Sequence, residues 1–303
     1  MRRATAGTTG EVPPVDVLQG DRLTEGLGEI LGREDVGQQP GGDGLPFGEQ
    51  QAVREALGDL LDVVGHQDRR RRIGIGSQIR EIDAFEAAYT KMVALVGDLK
   101  GEGHRVDRLD LGGGLGIRYQ EDDRPPSIDE LAEVMAGTLT TACGHKNLPV
   151  PELILEPGRS IVGEAGTTLY TIGAVKHIPG VRTYLSVDGG LSDNPRPVMY
   201  DALYRATIAN KAAHEHSVEG LRVSGAHCET DTLIPEIALQ SPEPGDILAV
   251  FGTGAYNHSM ASNYNRFCRP AMVLVADGKA DLITRREELA DLLRQDVMPE
   301  RLK

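Results

Sequence analysis

The stretch VDRLDLGGGLG, residues 106–116, decides how the rest of the chain is read. Val106 to Leu111 is a short strand candidate that runs straight into Gly112, Gly113 and Gly114. Upstream, Asp83 to Leu99 places apolar residues at helical spacing, and Gly101 follows as a stop. Downstream, Ser127 with Glu130 forms a capping box ahead of a second helix, Leu131 to Cys143. Glu152 to Leu155 is another short apolar strand, ending at Pro157 and Gly158. Strand and helix alternating at this pitch predict βα units with a parallel sheet or barrel.

Further outward the pattern changes on both sides. After Gly166 the runs Thr167 to Lys176, Thr183 to Val187, Leu221 to Val223, Asp246 to Phe251 and Ala271 to Val275 are β-rich. One helix, Glu287 to Arg294, closes the chain, so residues 166–303 read as a mainly β domain. Before residue 73 the composition shifts. Residues 1–72 hold nine arginines, thirteen glycines and one aromatic, Phe47, while all seven lysines lie beyond them. Little bulky apolar surface there offsets the entropy of ordering, so a poorly ordered segment is expected. Within it, Glu49 to Gly65 has the spacing of one amphipathic helix, 26–48 reads as loop, and the arginine run 69–72 as a solvated face.

The net charge of −14 and pI near 5 exclude a nucleic-acid or anionic-membrane surface as the main business. No apolar run reaches the length of a membrane span. Cys143, Cys228 and Cys268 are too widely spaced for a disulfide scaffold or a metal knuckle, so no metal is expected. The chain starts without an apolar leader, and the expectation is a reduced, cytoplasmic protein.

Three small motifs stand where strands end: Gly76-Ser77-Gln78, Gly112-Gly113-Gly114 and Glu156-Pro157-Gly158-Arg159. Glycines let backbone N–H groups converge on an anion, and a serine hydroxyl adds a donor. Such loops in series read either as tight turns or as a phosphate site. Glu156 beside a phosphate makes sense if the ligand also carries a cation such as a protonated pyridine nitrogen. The plain alternative is a salt bridge to Arg159. Taken alone, Cys228 reads as a small buried residue and Arg196 as a surface ion pair.

In sequence these motifs resemble the fold-type III pyridoxal-phosphate-dependent decarboxylases of basic amino acids, and among them the diaminopimelate decarboxylase family. The resemblance rests on IGSQI at 75–79, LDLGGGLG at 109–116, EPGRSIVGEAG at 156–166, VDGGLSDNPRPVMYDA at 187–202, GAHCETD at 225–231 and FGTGAYNHSMASNYNRFCRPAMVLV at 251–275. It implies an α/β plus β architecture: the late strands of a (β/α)8 barrel over residues 73–165, then the β-rich domain. Pyridoxal 5'-phosphate would be the cofactor. Ser77, Gly112, Gly113, Gly114, Gly158 and Arg159 would hold its phosphate, and Glu156 its pyridine nitrogen. Arg159, Arg196 and Tyr200 would bind the substrate carboxylate, and Glu229 the distal ammonium. Cys228 would return a proton, and Tyr256 would reach the cofactor or substrate from the second domain. The family's Cys-Glu segment enters the neighbouring subunit's site, which implies a homodimer. An arginine and an acid at the distal end suit meso-2,6-diaminopimelate, giving L-lysine and carbon dioxide.

Two departures accompany the resemblance. The Cys228-Glu229-Thr230-Asp231 loop is one residue tighter than the family's, which leaves the place of Asp231 open. The family's cofactor lysine lies early in the barrel, yet residues 1–72 contain none, and Gly74 stands where a ring-stacking histidine is expected. Slow turnover follows from that, since this amine delivers the cofactor to substrate. The alternatives are an inactive paralogue that dimerises with an intact decarboxylase, and a decarboxylase of another basic amino acid.

Overall fold

The computed structural model describes residues 76–303. The expectations for the helix at 49–65, the loop at 26–48, the arginine run at 69–72 and Gly74 lie outside these residues.

The first part of the described chain is built from βα units. Helix α1 (Ile82–Gly101) buries Phe85, Tyr89, Val93 and Val96, a stripe at three- and four-residue spacing that faces the sheet. Strand β1 (Arg108–Gly113) follows, then α2 (Ile128–His145), β2 (Glu152–Glu156) and the one-turn α3 (Gly158–Val162). The capping box is formed: the Ser127 hydroxyl accepts from the Glu130 N–H, and Glu130 reaches back to the Ser127 N–H. β1 and β2 pair in parallel, Leu109 opposite Leu153, as the alternation predicts. Leu109, Leu111, Leu115, Leu139 and Cys143 close one core against α1.

The second part is a six-stranded sheet. Its strands are β3 (Thr167–Ile178), β4 (Arg182–Val187), β5 (Ala206–Ile208), β6 (Val218–Ser224), β7 (Thr232–Leu239) and β8 (Ile247–Phe251), in the order β5-β8-β3-β4-β6-β7. All neighbours are antiparallel except β4 and β6. A parallel pair needs a crossover. Residues 188–217 supply it; they include helix α4 (Arg196–Tyr200) and β5, which pairs with β8 at the far edge of the sheet. Ile172, Leu185, Ile208, Leu221, Leu239 and Leu248 are fully buried in the core beneath. A separate hairpin, β9 (Met272–Ala276) and β10 (Lys279–Thr284), precedes the short helix α5 (Leu289–Leu293).

Two expectations need adjustment. β5, β7 and β10 were not foreseen. β7 contains Pro235, which argues against a central strand, and the structure places β7 at the sheet edge where proline is tolerated. Glu156 does not end a buried strand: Leu155 is 47% exposed and Glu156 is exposed, because the described residues bring nothing over that face of β2.

The two parts meet closely. The N–H of Thr253 donates to the Gly166 carbonyl and that of Gly254 to Gly163, each at 3.0 Å. A Cβ on Gly254 would lie 1.7 Å from the Val162 carbonyl oxygen, so only glycine permits the contact. This seam brings the end of α3 against the loop that follows β8.

Candidate active site

The three strand-end motifs lie side by side. Ile79 bridges Leu115, with its N–H on the Gly114 carbonyl and its carbonyl on the Gly116 N–H, each at 2.9 Å. The Gln78 amide clamps the same approach from both ends, donating to the Ile117 carbonyl at 2.6 Å and accepting from its N–H at 3.1 Å. A Cβ at Gly113 would sit 1.9 Å from the Glu156 carbonyl oxygen, and one at Gly114 equally close to that of Gly76. Gly112 and Gly114 have φ of +67° and +88°, where side chains are strained. A Cβ at Gly112 or Gly158, in contrast, would meet nothing within 4 Å, so these two face open space. The result is a backbone cradle with room on one side, suited to an anion.

Beside the cradle sits a cluster of buried cations. Arg159 and Arg196 are 8% and 7% exposed. Both point an Nη1 at the Tyr119 hydroxyl, at 2.5 Å and 3.0 Å. Arg159 Nη2 also donates to Ser77 Oγ at 2.8 Å, which leaves the serine O–H free to donate elsewhere. Arg196 Nη1 donates to the Tyr204 hydroxyl at 2.7 Å. The Tyr256 ring lies 4.7 Å from the Arg159 guanidinium carbon, a cation–π contact made across the seam. Tyr256 itself holds φ at +61°, an unusual backbone for an aromatic residue, as sites often impose. Burial raises the Tyr204 pKa, although the Arg196 charge acts to lower it, so this phenol stays protonated. Tyr119 is held in place by Asp123, whose carboxylate accepts from the N–H groups of Tyr119 and Gln120 and pairs with Arg80. Burial acts to raise the Asp123 pKa, but those donors hold it below the ordinary value.

Among the described residues neither Arg159 nor Arg196 pairs with a carboxylate. The salt bridge from Arg159 to Glu156 is not made, and Arg196 is no surface ion pair. Two guanidinium groups converging on one neutral phenol leave net positive charge in a dry place, where an anion is strongly favoured.

Cys228 and Glu229 lie in the turn between β6 and β7, both exposed. Cys228 is therefore not a buried structural thiol, whereas Cys143 is buried in the α2 core and Cys268 is half-buried. The Tyr264 hydroxyl donates to Glu229 Oε1 at 2.7 Å, and this bond raises the phenol pKa. Among the described contacts no hydrogen bond or ring contact joins Cys228, Glu229 or the exposed Tyr200 to the arginine cluster.

A family model for the pyridoxal-dependent decarboxylase, pyridoxal binding domain, matches residues 54–163. The chain is 54% identical over 198 residues to a diaminopimelate decarboxylase of Synechocystis, covering 65% of this chain and 42% of that one. It is 37% identical over 314 residues to the diaminopimelate decarboxylase of Mycobacterium bovis, covering 97% of this chain and 67% of its relative. The chain belongs to the pyridoxal-dependent decarboxylases. A crystal structure of diaminopimelate decarboxylase from M. jannaschii in complex with L-lysine superposes with a TM-score of 0.69 at 36% identity, covering 75% of this chain and 51% of that one. Pyridoxal phosphate is this family's cofactor, and the glycine cradle with Ser77 and Arg159 fits its phosphate. The fold is accordingly the late part of a barrel followed by the decarboxylase β domain. The chain spans about half the length of the curated relatives it matches. The family match begins at residue 54, upstream of the compositional change at 73.

No motif singles out Tyr119 and Tyr204 of the arginine cluster, or His227 and Tyr264 beside the Cys228-Glu229 turn. An isolated tyrosine carries no spacing signal. Its role here depends on which arginines or carboxylates the fold delivers to its hydroxyl. None of the described helices is long and apolar enough to cross a membrane. Among the described residues no group of three or more His, Cys, Asp or Glu side chains is placed to hold a metal ion.

Proposed function

We propose that this protein is a decarboxylase of meso-2,6-diaminopimelate that yields L-lysine and carbon dioxide, the last step of lysine biosynthesis. The observation that carries this reading is the pair of buried guanidinium groups, Arg159 and Arg196, sharing the Tyr119 hydroxyl without a carboxylate. A substrate with a distal carboxylate supplies the missing anion. Ornithine does not.

Ser77 and the backbone of Gly112 to Gly114, Gly158 and Arg159 hold the phosphate of the cofactor. The exposed Glu156 carboxylate at the end of β2 is free to face the pyridine nitrogen and keep it protonated. Bound pyridoxal phosphate supplies the electron sink for the pair left when carbon dioxide departs. Arg196, with Arg159 and Tyr200, grips the distal carboxylate, and Glu229 the ammonium on the same carbon. Tyr256 covers Arg159 from the β domain and narrows the access of water. The Cys228 Sγ gives its proton to the substrate carbon that has lost carbon dioxide.

Cys228 and Glu229 face outward while the arginines face inward, which supports a homodimer in which this turn of one copy completes the site of the other. A thiol that must stay reduced suits a cytoplasmic protein.

The test of the main reading is substrate choice. Loaded with pyridoxal phosphate, the protein should release L-lysine from meso-diaminopimelate and no putrescine from ornithine. Equal turnover of the two, or none of either with the cofactor bound, would sink it.

A further inference from the structure

The turn carrying Cys228 and Glu229 is wet at its tip and dry at its base. Residues 228–230 are exposed, whereas the side chains of His227 and Asp231 on either side are 0% and 1% exposed. The Asp231 carboxylate collects the ties of the whole turn. Oδ2 meets His227 Nδ1 at 2.7 Å and the His227 N–H at 3.2 Å, and Oδ1 accepts the Leu191 N–H at 3.0 Å. The Asp231 N–H closes the loop on the Glu229 carbonyl at 2.8 Å. There is no slack around it. A Cβ on Gly190 or Gly225 would lie 2.0 Å from Asp231 Oδ2. The shortened Cys-Glu-Thr-Asp loop is thus drawn down onto a carboxylate that two glycines make room for.

His227 is kept at a cost. Its buried Nε2 has no hydrogen-bond partner among the described residues. An apolar side chain of similar size would fill the same space without a desolvated nitrogen, so what the histidine adds is the Nδ1–H tie to Asp231. The ring also forms a floor: Phe267 lies 4.4 Å and Tyr264 5.8 Å from it, centroid to centroid. Tyr264 in turn donates to Glu229. The contacts therefore run from Asp231 through His227 and Tyr264 back to Glu229, and His227 and Glu229 are the residues on either side of Cys228 in the chain.

We propose that His227, Asp231 and Tyr264 are positioning residues that hold Cys228 and Glu229 as one rigid unit, with Tyr264 setting substrate affinity by fixing the Glu229 carboxylate. The functional half of this statement rests on the roles proposed above for Cys228 and Glu229. The tie itself does not.

Alkylation of Cys228 by iodoacetamide, followed by peptide mass analysis on the full chain without cofactor, tests the tie. His227→Asn keeps an N–H for Asp231, and the rate should stay within about twofold of the parent. His227→Leu removes that donor and should raise the rate about three- to tenfold, the factor that one lost hydrogen bond represents. Tyr264→Phe removes only an exposed hydroxyl, so it decides the matter should His227→Leu fail to fold, and it should raise the rate in the same sense. Rates in His227→Leu and Tyr264→Phe equal to that of His227→Asn would overturn the proposal. A second readout separates it from the assigned function. In protein loaded with pyridoxal phosphate, Tyr264→Phe should weaken L-lysine binding about three- to tenfold, and should add nothing in a Glu229→Gln background. Unchanged L-lysine binding in Glu229→Gln would defeat the role assigned to Glu229, while the alkylation rates would still decide the tie.

Discussion

At Arg159 and Arg196 the charged groups are buried and their surroundings are neutral tyrosines, whereas at Cys228 and Glu229 the reactive groups are exposed and only their supports are buried. The first region is complete within the chain: Arg159 comes from α3, Arg196 from α4 and Tyr119 from the loop after β1, and all meet at one oxygen. Its electrostatics already favour an anion before any arrives, since like charges held close in a dry place repel until one is neutralised. The second region is an exposed turn that makes no hydrogen bond or ring contact with the first among the described residues. The difference teaches that the two regions are built on opposite principles, one on buried charge and the other on an exposed turn braced at its base.

The contrast is sharpest at Arg196. Arg196→Met removes one buried cation but keeps much of its volume. L-Lysine affinity of the loaded protein should fall by about a hundredfold, the scale of losing a buried charge-assisted contact. The thermal midpoint should hold or rise, because an unpaired buried charge is replaced by an apolar side chain. Calorimetric titration and a melting curve on the same sample check both, and a midpoint that collapses along with affinity would break the contrast.

If the turn serves a second copy, the two regions can be disabled in different chains. Arg196→Met and Cys228→Ala should each be inactive alone, and mixing them should restore part of the parental lysine release. No recovery after co-refolding would place both regions in one subunit's site.

The smallest effect concerns the support of Tyr264. The neighbouring Asn263 donates to Glu287 Oε2 at 2.5 Å, and Arg269 holds the same carboxylate. The Arg269 guanidinium, with the Arg269 N–H and Asn263, takes Glu287 from the ordinary 4.5 down to about 2. A carboxyl depressed in the folded state stabilises above its unfolded value and loses that contribution as pH falls toward its folded one. Parent and Glu287→Gln should therefore differ in unfolding midpoint at neutral pH, and the gap should close between about pH 4.5 and pH 2. A gap that is flat with pH would remove Glu287 from the brace.

Much of the fold was legible locally. Ser127 and Glu130 announced α2 because a capping box needs only four residues, and the apolar stripe of α1 repeats within the helix itself. β7 was hidden by Pro235, whose acceptability depends on an edge position that no local window contains. β10 was missed although Asp277-Gly278, at φ of +50° and +72°, is the kind of turn that closes a hairpin. At the site, the glycine cradle and the two arginines were readable from their motifs. Tyr119 was not, because nothing in its neighbours foretells a pair of arginines from 40 and 77 residues away.

By itself the amino-acid order determined the elements whose signal is local: periodicity and capping set α1, α2, β1 and β2, and glycine, arginine and cysteine mark where an unusual backbone, a charge or a thiol stands. Tertiary structure alone decided which of these properties act together. Burial strips Arg159 and Arg196 of water and gives them a common phenol in place of a carboxylate, and the close fit of Asp231 between Gly190 and Gly225 sets where Cys228 stands. Charge in a dry pocket and a turn held at its base are consequences of distance and dielectric, which exist only once the chain has closed on itself.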